Sequence, residues 1–285
     1  MSAVPTLIAY ALREAIRRKV FVVVVVLTAA FLVLYWLGAR QAYVEARSFE
    51  GSTDTGVDIN TLTGATLFGL SMFATLFLGT VLTVFLTLGA VRGDAERGLL
   101  QPLVVRPVGR SAFLVARFLG AAAVSGVYVV LVYAAALLIT EAVGPWSPDA
   151  VVGPALELAG AVVIVTALSL LGSIFLSATA NGIAIFMVFG AGLVAGLLGQ
   201  IGEALDSPTL VDVAEKTSWI LPFEALYQDG LHRITEDTRG FTEIALQLGP
   251  FGGAQAGGSS LVAWAALYVV LVLGIALATF ARRDL

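Results

Sequence analysis

Apolar residues run along this chain in six long stretches without the two-residue alternation of a strand. The stretches cover 20–38, 62–90, 111–140, 151–178, 183–201 and 261–280. A helix needs about 20 mostly apolar residues to cross the hydrocarbon of a bilayer, whereas a barrel strand is about half as long and alternates. The pattern therefore predicts an all-α integral membrane protein with six transmembrane helices. The second, third and fourth stretches exceed the minimum, which implies tilt or interfacial turns. The first is longer than the core of a signal peptide and no convincing small-residue cleavage site follows it, so it reads as a retained helix.

The connections are uneven. Residues 1–19 read as an interfacial helix, with Leu7, Ile8, Leu12 and Ile16 at helical spacing and Arg13, Arg17 and Arg18 on other faces. A plain basic anchor for topology is the alternative. The loop 91–110 is broken by Gly93, Gly98, Pro102 and Pro107. Leu99, Leu100, Leu103 and Val104 make a small apolar face within it, which suits either the lipid surface or a groove on a soluble partner. The fourth and fifth spans are joined by a few uncharged residues, where Asn181 and Gly182 suit a tight turn. Residues 202–260 are the largest segment between spans. Ser207-Pro208 looks like a helix start, with serine as cap and proline in the first turn. Phe223, Leu226, Tyr227, Leu231 and Ile234 repeat every three to four residues, so a second short helix is expected from Pro222. Neither is long enough to cross, which predicts an interfacial or re-entrant region.

Charge sets an orientation. With the N-terminus in the cytoplasm, the inner segments hold eleven of the sixteen Lys and Arg residues. The outer segments hold sixteen of the twenty acidic residues, for a net +7 inside and −11 outside. Basic residues favour the cytoplasmic side, so both termini are expected there, in a cytoplasmic (inner) membrane. Trp36, Trp146, Trp219 and Trp264 all fall near an outer span end, at the interface that indole rings prefer.

Composition narrows the function. The chain is 59% hydrophobic before its 30 glycines are counted and only 13% charged. A typical soluble domain is about 45–50% apolar with glycine included and about 25% charged. Nucleic-acid binding is thereby excluded as the main role. There is no cysteine and one histidine, His232, so thiolate, iron–sulfur and histidine-cluster metal sites are excluded. No metal site and no catalytic residue is expected. Ser259, Ser260 and His232 have no evident third partner for a hydrolytic triad. The spans are nearly free of charge, with Glu157 as the exception and Arg117 counted with the inner segments, which argues against an ion-coupled transporter. A phosphate-binding loop needs glycine directly before its lysine, yet Lys19 follows an arginine and Lys216 a glutamate. Thr80, Thr83 and Thr87 share one face of the second span, as candidate pathway groups or as packing glue. Gly192, Gly196 and Gly199 fit close approach at a dimer or helix–helix contact.

The loop carries a resemblance. Glu96-Arg97-Gly98-Leu99-Leu100, Arg106-Pro107-Val108-Gly109-Arg110 and Arg117-Phe118-Leu119-Gly120 resemble the membrane permeases of ABC transporters. The likeness is to the type-2 exporter class, which includes the permease of the nitrous-oxide-reductase maturation transporter. Leu99 stands where threonine is common and Arg117 where lysine is common. The resemblance extends over the six-span layout and implies one permease domain, 1–285. It implies that 91–110 is a coupling loop seated in a separate cytoplasmic ATPase subunit, present in two copies that hold ATP and Mg2+. Glu96, Leu99, Leu100, Leu103 and Val104 would be the contacts, with Arg97 and Arg110 at the rim. Arg13, Glu14 and Arg17 would brace the same partner. A second permease copy or a paralogue would pair with this one, the first and fifth spans lying near the dimer axis. The expected function is ATP-driven, outward transport of an unidentified substrate. A non-transporting membrane anchor and a membrane-embedded enzyme are the competing readings.

Overall fold

A computed structural model describes residues 19–49, 57–88, 110–239, 242 and 256–282. Within these lie eight α-helices and no strand: α1 (Lys19–Phe49), α2 (Ile59–Thr87), α3 (Arg110–Val143), α4 (Val152–Phe175), α5 (Ala178–Ala204), α6 (Pro208–Ile220), α7 (Pro222–Arg233) and α8 (Gly258–Arg282). Six of them, α1 to α5 and α8, are long and apolar enough to span a bilayer. The expected fold class is therefore the observed one.

The bundle has two ends. One carries the connection from α3 to α4 and the short helices α6 and α7, and is called the hairpin end. The other carries the end of α2, the start of α3 and the turn from α4 to α5, and is called the loop end. The putting together of these helices follows from side-chain size. α4 is the hub, packing on α2, α3, α5, α7 and α8. Its Ala161, Ala167, Ser169 and Ser173 are almost wholly buried, and small residues let neighbouring backbones come close where lipid gives no hydrophobic drive to associate. The apolar windows of α2 and α4 are 61% buried within the chain, against 17% for α1 and 22% for α8. The outer helices thus keep broad apolar faces for lipid or another subunit.

Three local expectations need correction. The first span does not end near residue 38: α1 continues to Phe49, because Ala39, Tyr43 and Ala46 form a buried stripe against the bundle. The turn between the fourth and fifth spans is not at Asn181-Gly182. α4 ends at Phe175, Leu176 is extended, and α5 starts at Ala178. Asn181 already lies in the first turn of α5 and is fully buried. Ser207 precedes α6, but its side chain makes no capping bond. Its carbonyl accepts instead from the backbone N–H groups of Leu210 and Val211. An N-cap that hydropathy alone does not disclose is Asp58, whose Oδ1 accepts from the N–H groups of Asn60 and Thr61 at the start of α2.

Candidate functional site

The buried polar groups fall into two sets. The first is a ladder of hydroxyls toward the loop end. Thr83 Oγ1 donates to Ser125 Oγ of α3 at 2.8 Å and lies 3.4 Å from Thr166 Oγ1 of α4. One turn on, Thr87 and Ser169 of α4 share a hydrogen bond of 2.6 Å. Asn181 Nδ2 donates to the Ser169 carbonyl at 2.9 Å, which brings α5 into the same ladder. Thr80 is also buried, its hydroxyl without a hydrogen-bond partner. Thr80, Thr83 and Thr87 therefore sit between α2, α3 and α4 at 0–1% exposure. Two of the three spend their hydroxyls on neighbouring helices, as buried polar groups must.

The second set lies at the hairpin end. α6 folds back along α5 and α7 climbs along α4, so the pair enters the bundle and leaves it again. The glycine stripe of α5 shapes this entry. An added Cβ at Gly192 would come within 2.5 Å of the Phe223 ring, and one at Gly196 within 1.9 Å of Glu224 Oε1. At Gly199 it would meet the Ala214 Cβ at 3.1 Å. The three glycines face the re-entrant helices of their own chain. Gly192 lies twelve residues before the end of α5, so α7 begins roughly 18 Å down that helix. The predicted apolar stripe of α7 is what holds it there: Phe223, Leu226, Tyr227, Leu231 and Ile234 are all buried.

This gives a measurable contrast. Gly192→Ala should lower the thermal midpoint of the detergent-purified protein, with overpacking of about 1–3 kcal/mol outweighing a helix-propensity gain of about 1 kcal/mol. The Phe223 ring cannot swing aside, since it is fully buried and stacked on Phe189 at 5.7 Å. Gly190→Ala, where nothing lies within 4 Å of the new Cβ, should leave the midpoint unchanged or raise it.

A charge cluster fastens α7 to α4. Arg233 Nε lies 2.8 Å from Glu157 Oε1 and 2.9 Å from Asp229 Oδ2. Asp229 Oδ1 accepts from the Gly257 N–H at 2.7 Å, tying the start of the last span to the same point. Burial works against the Asp229 charge, yet the Gly257 N–H, Glu157 and Arg233 together hold its carboxyl below the usual range. The hydrogen bond to Asp229 raises the Arg233 guanidinium in turn. Deeper on α7, Glu224 accepts from Gln228 Nε2 at 2.8 Å. Its burial pushes it up to about 7, against the opposing pull of that hydrogen bond.

Glu157 is the lone charge singled out in the spans, and the structure supplies its partner. Asp229 and Arg233, four residues apart on α7, are the charged partners of Glu157 that sequence reasoning missed. The signal was an acid–base pair at i,i+4 on a short helix beside an unpaired intramembrane glutamate. Arg13, Glu14, Arg17, Glu96, Arg97, Leu99, Leu100, Leu103 and Val104 lie outside the described residues. Arg110 is the first residue of α3. His232 sits partly buried in the last turn of α7. Among the described residues no group of His, Cys, Asp and Glu is arranged to hold a metal ion.

Comparison with known proteins gives one family. The model of the family described as ABC-2 family transporter protein matches residues 6–285. No curated protein matches the sequence.

Proposed function

The chain belongs to the ABC-2 transporter family and is a membrane-embedded permease subunit of an ABC transporter; we propose that it works outward, as one of a pair, on ATP hydrolysed by a separate subunit docked at its loop end. The family match across nearly the whole chain supports a permease driven by a separate ATPase; the outward direction and the pairing rest on the resemblance of the loop motifs to type-2 exporters. Charge supports the orientation, since the segments on the loop-end side hold eleven of the sixteen basic residues. The loop end would then face the cytoplasm, in an inner membrane, with both termini on that side.

The coupling contact is assigned to Glu96, Leu99, Leu100, Leu103 and Val104, with Arg97 and Arg110 at the rim and Arg13, Glu14 and Arg17 bracing the same ATPase. The three motifs at 96–100, 106–110 and 117–120 that resemble type-2 exporters support it, as does their further likeness to the nitrous-oxide-reductase maturation permease. The ATPase, in two copies, would bring ATP and Mg2+. Nucleotide binding there would shift two permeases between two packed arrangements, a rigid-body transition of the kind interfaces support. The broad apolar faces of α1 and α5 would serve the pairing. Transport along the Thr80–Thr87 face would require the α2–α3–α4 contact to part, because those hydroxyls are buried in it.

Extracted in mild detergent from its native membrane through a tag, the chain should bring a soluble ATPase with it at fixed stoichiometry. The complex should hydrolyse ATP, and the chain reconstituted alone in liposomes should not. A tagged chain that emerges intact without an ATPase, or that hydrolyses ATP alone, overturns the proposal.

A further inference from the structure

A cavity of about 460 Å3 lies at the hairpin end where α5, α6, α7 and the start of α8 meet. Gly196 and Gly199 leave it room on the α5 side. Its polar lining is one-sided in charge. Glu224 and Glu215 line it, with Gln228 and Ser218 beside them, and no lysine, arginine or histidine does so among the described residues. Glu224 is only 3% exposed. A carboxylate that deep is kept from water, and a buried charge calls for a counter-charge or a proton. Gln228 donates its amide N–H to Glu224, while its own Oε1 is buried without any donor.

Two indoles complete the lining. Trp264 Nε1 donates to the Trp219 carbonyl at 3.0 Å, and the rings stand 5.5 Å apart at 60°. Trp219 is 51% exposed. Aromatic faces near carboxylates attract cations that are weakly hydrated and carry apolar groups. The volume lies in the range of small-molecule sites, about 300–1,000 Å3.

We propose that this cavity binds an organic ammonium ion bearing N–H groups, with Glu224 as counter-ion, Gln228 Oε1 as a second acceptor and Trp219 and Trp264 as the aromatic wall. The chemistry fits two sources, a free amine with an apolar body or the ethanolamine headgroup of a lipid. A quaternary ammonium lacks the donor that Gln228 needs. The proposal is independent of the transport direction and of the ATPase contact.

Full-length protein in nanodiscs of phosphatidylglycerol, which has no ammonium group, is titrated calorimetrically with phenethylammonium chloride at pH 8. Saturable binding is expected, at least tenfold tighter than that of the neutral analogue 2-phenylethanol. Glu224→Gln should weaken it at least fivefold. Trp219→Ala, at a half-exposed position where folding is not at stake, should weaken it about threefold. Lowering the pH from 8 to 6 should weaken it too, because Glu224 takes up a proton near 7 while the amine stays charged. Glu215, from α6, is the other carboxylate facing the cavity; α5 and α8 bring no ionisable side chain to it among the described residues. Nanodiscs containing phosphatidylethanolamine separate the sources. A fivefold loss of apparent phenethylammonium affinity there identifies the headgroup as the occupant, and unchanged affinity identifies a free amine. No saturable binding in phosphatidylglycerol, equal binding of 2-phenylethanol, or indifference to both folded variants overturns the proposal.

Discussion

Leu100→Asp combined with Val104→Asp is expected to strip the ATPase from the purified complex while leaving the permease inserted and monodisperse. If the apolar face of 99–104 seats in a groove of the partner, each new carboxylate must be buried there without a counter-charge, at a cost of several kcal/mol. Two such penalties, even at ~2 kcal/mol each, weaken association about a thousandfold. Insertion should be untouched, because both positions lie outside the six spans. Co-purification and ATP hydrolysis by the extracted complex are the readouts. Normal recovery of the ATPase with the double variant would place the coupling contact elsewhere. Were the segment a lipid-surface helix instead, the same variant would leave the ATPase in place.

The second large effect is at Arg233. Arg233→Ala should lower the stability of the protein by about 2–4 kcal/mol, read as a fall in thermal midpoint in detergent. Arg233 is itself 37% exposed, so water screens part of its interaction. The loss comes instead from the acidic side chains left without their cation, Asp229 at 3% and Glu157 at 7% side-chain exposure. Removing one partner of a buried ion pair costs more than removing all of it. Glu157→Gln with Asp229→Asn should therefore restore much of what Arg233→Ala takes away. If the triple variant is no more stable than Arg233→Ala, the cluster does not fasten α7 to α4 as described. Arg233→Lys should fall between, since an ammonium keeps the charge but not the fixed fork of donors. ATPase co-purification should survive Arg233→Ala, because the cluster lies at the opposite end of the bundle from the end of α2 and the start of α3, between which the proposed coupling segment runs.

Hydropathy found six spans because each is long, apolar and nearly free of charge, and the bilayer leaves few other structures for such a segment. It failed where burial is by protein rather than lipid. Residues 39–49 hold Arg40, Gln41, Glu45 and Arg47, so their mean hydropathy falls. Ala39, Tyr43 and Ala46 nonetheless keep a helical period, and that stripe continues α1. Asn181 misled for a related reason. Asparagine beside glycine reads as a turn, yet here its amide is used to join α5 to α4 over Gly172. The re-entrant pair was legible from the three-to-four spacing of Phe223 to Ile234, and its depth was not. Depth comes from Gly192, Gly196 and Gly199, which in sequence could equally have faced a second copy. Pairing across sequence distance, as between Glu157 and Arg233, leaves no trace in any local pattern.

The joint between α6 and α7 is a single residue, Leu221, and the two helices it links rest on different supports. α6 lies against α5, whereas α7 packs mainly on α4 by charge and apolar contact, touches α5 at Gly192 and Gly196, and is tied to the start of α8 through Asp229. The hairpin is therefore shared between α5 and α4, with the 460 Å3 cavity in the seam. Any shift of α5 with α6 against α4 with α7 would have to be taken up at Leu221 and in the brief Leu176–Ser177 link. Such a shift would change the distance from Glu224 to the α5 and α6 walls, so an occupant of the seam would favour one alignment over the other.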